Sequence, residues 1–324
     1  MENKIKVGIL GLGTIARKMA LTVNESDCAV LYSVGSRSSE KAEDFAAEFG
    51  ASKAYGSYEE LAEDDKTELI YIATPHAFHF DNALMCLKKG KHVLIEKPAA
   101  VNARQAEIIF SYAKEKRLFA GEAMWSRFQP VQRTLEELIK NGAIGEVTCV
   151  CANTGGRMTS VPRLVMPELA GGALLDVGIY PLNFASMIIN EPVVNITGTA
   201  CLTDKGVDGQ NGFILTYESG KMAILGSSML SEMDSMGIVY GTEGRIEADG
   251  VINISSFKVI NKDGVKTITR PYQHTGFEFE LNAAVKAIKE GESEFPEMPH
   301  NETVKMLNIM DRLRSNWGVK YPFE

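Results

Sequence analysis

Six apolar residues, Ile5–Leu10, run straight into Gly11-Leu12-Gly13-Thr14-Ile15-Ala16, and no other feature limits the fold of this chain as tightly. Glycines at 11 and 13 with a small residue at 16, set between a strand and a helix, form the turn that opens a dinucleotide-binding βαβ unit. Gly11 permits the tight turn, Gly13 lets backbone approach a pyrophosphate, and Ala16 lets the helix pack closely on the strand. The helix that begins at Thr14 then offers free N–H groups and the positive end of its dipole to an anion. Gly11, Gly13, Thr14 and Ile15 are therefore expected to hold dinucleotide phosphates. The bland alternative is a glycine turn without a ligand, and the pattern that follows weighs against it.

Apolar runs at Ile5–Leu10, Ala29–Gly35, 69–73 and 92–95 alternate with helical patterns at Thr14–Asn24, Ser39–Phe49, 80–89 and Ala103–Lys116. Buried strands separated by amphipathic helices imply a parallel sheet with right-handed crossovers. The texture changes after Phe119. Pro130 and residues 131–140, stopped at Asn141-Gly142, read as a helix with proline in its first turn. Extended runs then take over at 146–152, Val193–Leu202, 212–217, Met222–Ser228, 237–240 and 252–260, with a hairpin turn at Glu218-Ser219-Gly220. Helices at 277–290 and 302–316 close the chain.

A length of 324 residues suits about two domains. The expected fold is α/β. Residues 1–123 form a Rossmann doubly wound parallel sheet. Residues 124–324 form a second α/β domain with a large, mostly antiparallel open sheet, for substrate binding and oligomerisation, whose last helix can pack back on the first domain.

A net charge of −8 and a pI of about 5.4 disfavour nucleic acid and anionic membrane as partners. No stretch reaches the ~18 consecutive apolar residues of a membrane span, and MENKIKVGIL shows no small-residue cleavage site, so a cytoplasmic protein is expected. Five cysteines without a CxxC pair indicate neither a disulfide framework nor a zinc knuckle. Cys149 and Cys151 alternate on a strand and should share one face, as small buried thiols. His76 and His79 lack a completing cysteine or carboxylate, so no metal is expected.

The end of the second strand selects the cofactor. NAD binders place an acid there for the ribose 2′-OH. Here Val34-Gly35-Ser36-Arg37-Ser38 stands in its place. Arg37 can stack on adenine and pair with a 2′-phosphate while Ser36 adds a hydroxyl. NADP(H) is the expected cofactor, with NAD(H) the alternative.

His92-Val93-Leu94-Ile95-Glu96-Lys97-Pro98 is an apolar strand ending on a charged pair and a proline. Ligands of doubly wound sheets bind at strand carboxyl ends, which puts Lys97 near the cofactor, where its cation can lower the pKa of a neighbouring hydroxyl.

Taken together, Gly11-x-Gly13-x-x-Ala16, Thr74-Pro75-x-x-x-His79, Glu96-Lys97-Pro98, Gly171-Gly172-Ala173-Leu174-Leu175-Asp176-x-Gly178 and Gly241-Thr242-Glu243-Gly244 resemble, in order, the glucose–fructose oxidoreductase/inositol dehydrogenase/MocA (Gfo/Idh/MocA) family. The resemblance runs from about residue 5 to at least 290. It implies a Rossmann domain plus an open-sheet α/β domain, and a homodimer or higher homo-oligomer built through that sheet. It also implies catalysis by Lys97, with Thr74, Pro75, His79 and Glu96 around the cofactor. Many family dehydrogenases carry histidine four residues after the aspartate, whereas this chain has Tyr180. That, with Glu122-Ala123-Met124-Trp125-Ser126-Arg127-Phe128, is similar to the branch of dimeric dihydrodiol dehydrogenase and NADP-dependent xylose dehydrogenase, and implies that Trp125 and Phe279 line the substrate pocket.

Read from the residues alone, Tyr180 can act as general acid/base, its pKa of about 10 lowered by an adjacent Lys97 cation, or simply pack at a domain junction. Asp176 is either catalytic, on one helical face with Tyr180, or only an N-cap, because Pro181 belongs in a first helical turn. The expected reaction is hydride transfer between a nicotinamide and a carbinol or carbonyl carbon of a sugar, cyclic polyol or dihydrodiol-like substrate. Two competing readings stand beside it. One is a non-catalytic NADP-binding regulator or corepressor of the same fold. The other is an enzyme with tightly held cofactor that oxidises one sugar and reduces another.

Overall fold

A computed structural model describes residues 4–271 and 274–324. The chain falls into two compact units, Met1–Trp125 with Gln273–Val304 and Ser126–Tyr272 with Lys305–Glu324. Residues 274–304 thus group with the first unit.

The first unit begins β1 (Ile5–Leu10), α1 (Thr14–Asn24), β2 (Ala29–Gly35), α2 (Ser39–Phe49), β3 (Lys53–Tyr55) and α3 (Tyr58–Glu63). It continues β4 (Leu69–Ile72), α4 (His79–Lys88), β5 (His92–Glu96), α5 (Ala103–Lys116) and β6 (Ala120–Ala123). All six strands are parallel, in the order β3-β2-β1-β4-β5-β6. The direction of strand succession reverses between β1 and β4, and ligands of such sheets bind outside the carboxyl ends beside that switch point. Every residue of β4 is buried, and so is every residue of β5 but the first. This is why both read as unbroken apolar runs. Helices α2, α3 and α5 start on Ser38, Ser57 and Asn102, whose side chains accept from the N–H groups of Lys41, Glu60 and Gln105. Helix α1 has no such cap.

The second unit holds α6 (Pro130–Lys140), β7 (Val147–Gly155), the short α7 (Pro162–Val165) and α8 (Ile179–Ile188). Leu174–Gly178 form a π-helical turn that runs into α8. A regular α turn is disfavoured there because Pro181 lacks an N–H and its ring crowds the preceding turn. The strands β8 (Val193–Leu202), β9 (Asp208–Tyr217), β10 (Met222–Ser228) and β11 (Met233–Gly241) follow. After them come β12 (Gly244–Ala248), β13 (Ser256–Asn261) and β14 (Gly264–Thr269), then α9 (Glu278–Glu290) and α10 (His300–Trp317).

The eight-stranded sheet has the order β14-β13-β12-β11-β7-β10-β9-β8 and is antiparallel except between β7 and β10. Its register sorts the side chains cleanly. Val150, Ala223 and Val239 are buried on one face, which packs against α8. The opposite face carries Ile214, Ile224 and Cys151 in one cross-strand row, and Met222, Cys149 and Tyr240 in the next. Cys149 and Cys151 therefore share a face as expected, but it is the open one. Both thiols are half-buried rather than part of the core.

Candidate active site

In the first unit the chemistry gathers at the carboxyl ends of β1, β2, β4 and β5. Gly11 takes φ +90°, a conformation that favours glycine. Its N–H donates to the Gly35 carbonyl at 3.0 Å, and a Cβ on it would lie 2.9 Å from Thr74 Cγ2. Gly13 caps α1 without any side-chain hydrogen bond, and the first turn contains no acid. A Cβ built on Gly13 would meet nothing within 4 Å, so there is open space beside Gly13 at the start of α1. An uncapped, acid-free helix start beside open space fits a pyrophosphate. Thr14 is exposed and Ile15 half-buried at the same edge.

Just past β2, Ser36 is buried and its Oγ accepts from the Ser38 N–H at 3.3 Å, while Arg37 is exposed. Arg37 bonds the hydroxyl of Tyr58, the first residue of α3. Burial raises the Tyr58 phenol and Arg37 opposes that rise.

Thr74 and Pro75 follow β4. Thr74 is buried, and its Oγ1 accepts from Asn82 Nδ2 at 3.1 Å. His79 has no exposed surface; its Nε2 lies 2.7 Å from the Thr74 carbonyl and its Nδ1 2.8 Å from the Pro98 carbonyl. With its ring nitrogens facing these two carbonyls, the imidazole bridges the β4 loop and the loop that bears Lys97. Ala99 N–H adds a bond to Glu122 Oε1 at 3.0 Å, and Thr303 donates to the other oxygen of the same carboxylate at 2.7 Å. Glu96 is buried, accepting from the Tyr71 hydroxyl and, at 3.2 Å, from the Lys97 N–H. Lys97 itself is half-buried.

A cluster beside this loop escaped the sequence reading. Lys18 of α1 sets its ammonium 4.1 Å from the Trp125 ring centre and 3.9 Å from that of Phe277. The two rings meet edge to face at 5.3 Å. Phe279 is half-buried, one position beyond the first residue of α9. Glu280 is fully buried, with neither carboxylate oxygen hydrogen-bonded among the described residues. Burial, reinforced by Glu96, pushes its carboxyl well above the usual range, and Lys18 only partly offsets this. Periodicity could mark Lys18 and Glu280 as charges on amphipathic helices. It could not show that α1 and α9 bring them together.

In the second unit Asp176 lies inside the π-helical turn and is almost fully buried. The cap reading is corrected. The residue before the turn is Ala173, no side chain caps it, and Asp176 Oδ1 instead accepts from Arg163 Nη1 at 2.7 Å. Tyr180 is buried at the start of α8. That helix is held by Arg127, whose Nε donates to Asn183 Oδ1 at 2.6 Å and whose Nη2 donates to Ser186 Oγ at 3.2 Å. The partners of Arg163 and Arg127 lie 13 and 56 residues away, so no local pattern marks either pairing. Among the described residues no group of three His, Cys, Asp or Glu could hold a metal ion, and no helix is long and apolar enough to cross a membrane.

Comparison with known proteins agrees with this architecture. Residues 5–122 match the family described as an oxidoreductase family with an NAD-binding Rossmann fold, and residues 132–247 match the GFO/IDH/MocA C-terminal domain. The chain is 34% identical to trans-1,2-dihydrobenzene-1,2-diol dehydrogenase of Xenopus laevis, over 98% of this chain and 99% of that one. It is 30% identical to the Homo sapiens protein of the same name, over 98% of each. Among solved structures, a 3-ketoreductase from Actinomadura kijaniata in complex with NADP and TDP-benzene superposes with a TM-score of 0.87 at 25% identity, covering 97% of this chain and 98% of that one. An aldose–aldose oxidoreductase from Caulobacter crescentus shares the fold, with a TM-score of 0.88 at 22% identity, covering 96% and 97%. By this evidence of sequence and architecture, the chain belongs to the Gfo/Idh/MocA family of NAD(P)-dependent oxidoreductases.

Proposed function

We propose that this protein is an NADP(H)-preferring dehydrogenase acting on a carbinol or carbonyl carbon of a sugar, cyclic polyol or dihydrodiol-like substrate. The observation that carries the reading is the cofactor edge of the first unit, with an uncapped α1 beside Gly13 and Arg37 where an NAD-specific acid would stand. Gly11, Gly13, Thr14 and Ile15 hold the pyrophosphate, and Ser36 and Arg37 the 2′-phosphate. Thr74 and Pro75 border the same edge, and Glu96 orients the loop of Lys97. When bound, the cofactor supplies or accepts the hydride.

The remaining chemistry is a proton transfer at the substrate hydroxyl. Tyr180 gives or takes that proton, Lys97 stabilises its ionised form, and Asp176 holds the turn by its pair with Arg163. Trp125 offers an aromatic face to the C–H surface of an uncharged ring, and Phe279 lines the same pocket. The relatives named dihydrodiol dehydrogenase and the NADP-bound 3-ketoreductase support this substrate class. A screen of NADP+ and NADPH against aldoses, inositols, dihydrodiols and dicarbonyls tests the reading. One substrate class with kcat/KM far above the rest is expected, and no turnover with any would favour the non-catalytic regulator.

The protein also works as a homodimer or larger homo-oligomer, with a second copy covering the open face of the eight-stranded sheet. Ile224 is 46% and Val265 67% exposed on that sheet, and apolar faces of this extent are rarely left open on monomers. Sedimentation well above 35.5 kDa at micromolar concentration is expected.

A further inference from the structure

The motif Gly171-Gly172-Ala173-Leu174-Leu175-Asp176-Val177-Gly178 contains two glycines whose space is taken by a polar string beneath them. A Cβ on Gly172, which has φ +121°, would lie 2.2 Å from Asp208 Oδ1. A Cβ on Gly178 would lie 2.7 Å from Ser227 Oγ. Between these two contacts runs a continuous chain of hydrogen bonds. Asp208 Oδ2 accepts from the Leu174 N–H at 2.7 Å and from Asn211 Nδ2 at 2.8 Å. Asn211 Oδ1 in turn accepts from Ser227 Oγ at 3.1 Å. Asp208 is 1% exposed, so water cannot replace these bonds. On the other side of the turn the Tyr321 hydroxyl donates to the Gly171 carbonyl at 2.8 Å.

We propose that Asp208 is a positioning residue for catalysis: with Asn211 and Ser227 it fixes the π-helical turn Leu174–Gly178, and through it the place of the Tyr180 hydroxyl. This rests on the proposed proton transfer by Tyr180. Asp208 touches no reacting atom; it anchors the first N–H of the turn and fills the room that Gly172 leaves, as Ser227 fills that beside Gly178. Orientation errors of about 1 Å at a distance from the chemistry can cost on the order of 100-fold in rate.

The test removes the shared acceptor and then restores it without charge. Asp208→Ala leaves the Leu174 N–H and Asn211 Nδ2 without the oxygen that accepts from both. It should lower kcat about 10- to 100-fold, while the KM for substrate and the Kd for NADPH stay within about 2-fold. Asp208→Asn keeps a side-chain oxygen that can accept both bonds and should hold kcat within about 3-fold of wild type. A purely structural defect would not confine the loss to kcat. In a Tyr180→Phe background Asp208→Ala should add less than about 2-fold, since both act on one step. Wild-type kcat in Asp208→Ala, an equal loss in Asp208→Asn, or a full extra loss on top of Tyr180→Phe would each overturn the proposal. If Tyr180→Phe turns over normally, the Tyr180 reading fails by itself. Hydrogen exchange at the Leu174 amide then decides for Asp208: faster exchange in Asp208→Ala with near-wild-type exchange in Asp208→Asn upholds the anchor, and unchanged exchange in Asp208→Ala removes it.

Discussion

The parallel sheet of the first unit is buried on both faces, whereas the antiparallel sheet of the second covers one face with α8 and shows the other to solvent. In the first, the strands are a scaffold whose ends carry the chemistry, because loops after parallel strands converge at one edge. In the second, the π-helical turn of Asp176 sits on the covered face while the bare face carries Ile214, Ile224 and Tyr240 in register. The proposed function thus uses one edge of the first unit and gives the two faces of the second sheet separate tasks. Substitutions at the edge should alter chemistry or cofactor choice, and those on the bare face assembly alone.

The largest effect is expected at the edge. Lys97→Met removes the cation of the β5 loop and should lower kcat by at least about 10²–10⁴, the usual contribution of a group serving acid–base catalysis. It should leave thermal unfolding nearly unchanged, because Lys97 is half-buried at a loop. Comparable turnover in the variant would remove Lys97 from the mechanism.

Next in size is an effect of pH on the covered face. Burial pushes the Asp208 carboxyl up to about 6 from its usual 3.8. The folded chain therefore keeps a proton there between about pH 4 and 6 that the unfolded chain gives up. Stability from this group is fully present below pH 3.8 and is lost as pH rises through about 6. The loss is on the order of 3 kcal/mol, at about 1.4 kcal/mol per unit. Asp208→Asn has no such slope, so its unfolding free energy relative to wild type should climb between pH 4 and 6. A constant difference across that window would show that Asp208 titrates normally.

The third effect returns to the cofactor edge. Arg37→Ala removes one charge-assisted hydrogen bond, worth about 1.5–3 kcal/mol, and should weaken NADP about 10- to 150-fold with NAD nearly unaffected. Equal losses for both cofactors in titration calorimetry would mean that Arg37 does not read the 2′-phosphate. The smallest effect on turnover belongs to the bare face. Ile224→Asp should convert the assembly to a 35.5 kDa species in sedimentation while kcat changes less than about 3-fold. An unchanged assembly would place the interface elsewhere.

The same contrast explains what could be read from the sequence. The boundaries of β1, α1, β2, α2 and α5 were legible because buried parallel strands are unbroken apolar runs and their helices carry a clear stripe. Strand β14 was not, since only Ile268 of its six residues is buried and no alternation survives. Strand β6, Ala-Gly-Glu-Ala, is buried throughout yet has none of the branched residues that signal a strand. At the site, Gly11, Gly13, Arg37 and Lys97 stand out in the sequence because the role proposed for each is read from its local pattern. Asp208 lies in a polar stretch that reads as a loop, and its partner Leu174 is 34 residues away. Arg163 and Lys18 likewise gain their roles from partners that only the fold supplies.

The central claim is that Tyr180 and Lys97 serve one proton transfer, and a double-mutant cycle on turnover measures it most directly. Tyr180→Phe keeps the ring and removes only the hydroxyl, so NADPH affinity should survive while kcat falls about 10²–10⁴. Lys97→Met should cost at least as much, and the double variant should be little worse than the poorer single one, because groups that act as a unit lose their joint contribution once. Near-normal turnover of Tyr180→Phe, or losses that multiply in the double variant, would contradict the account.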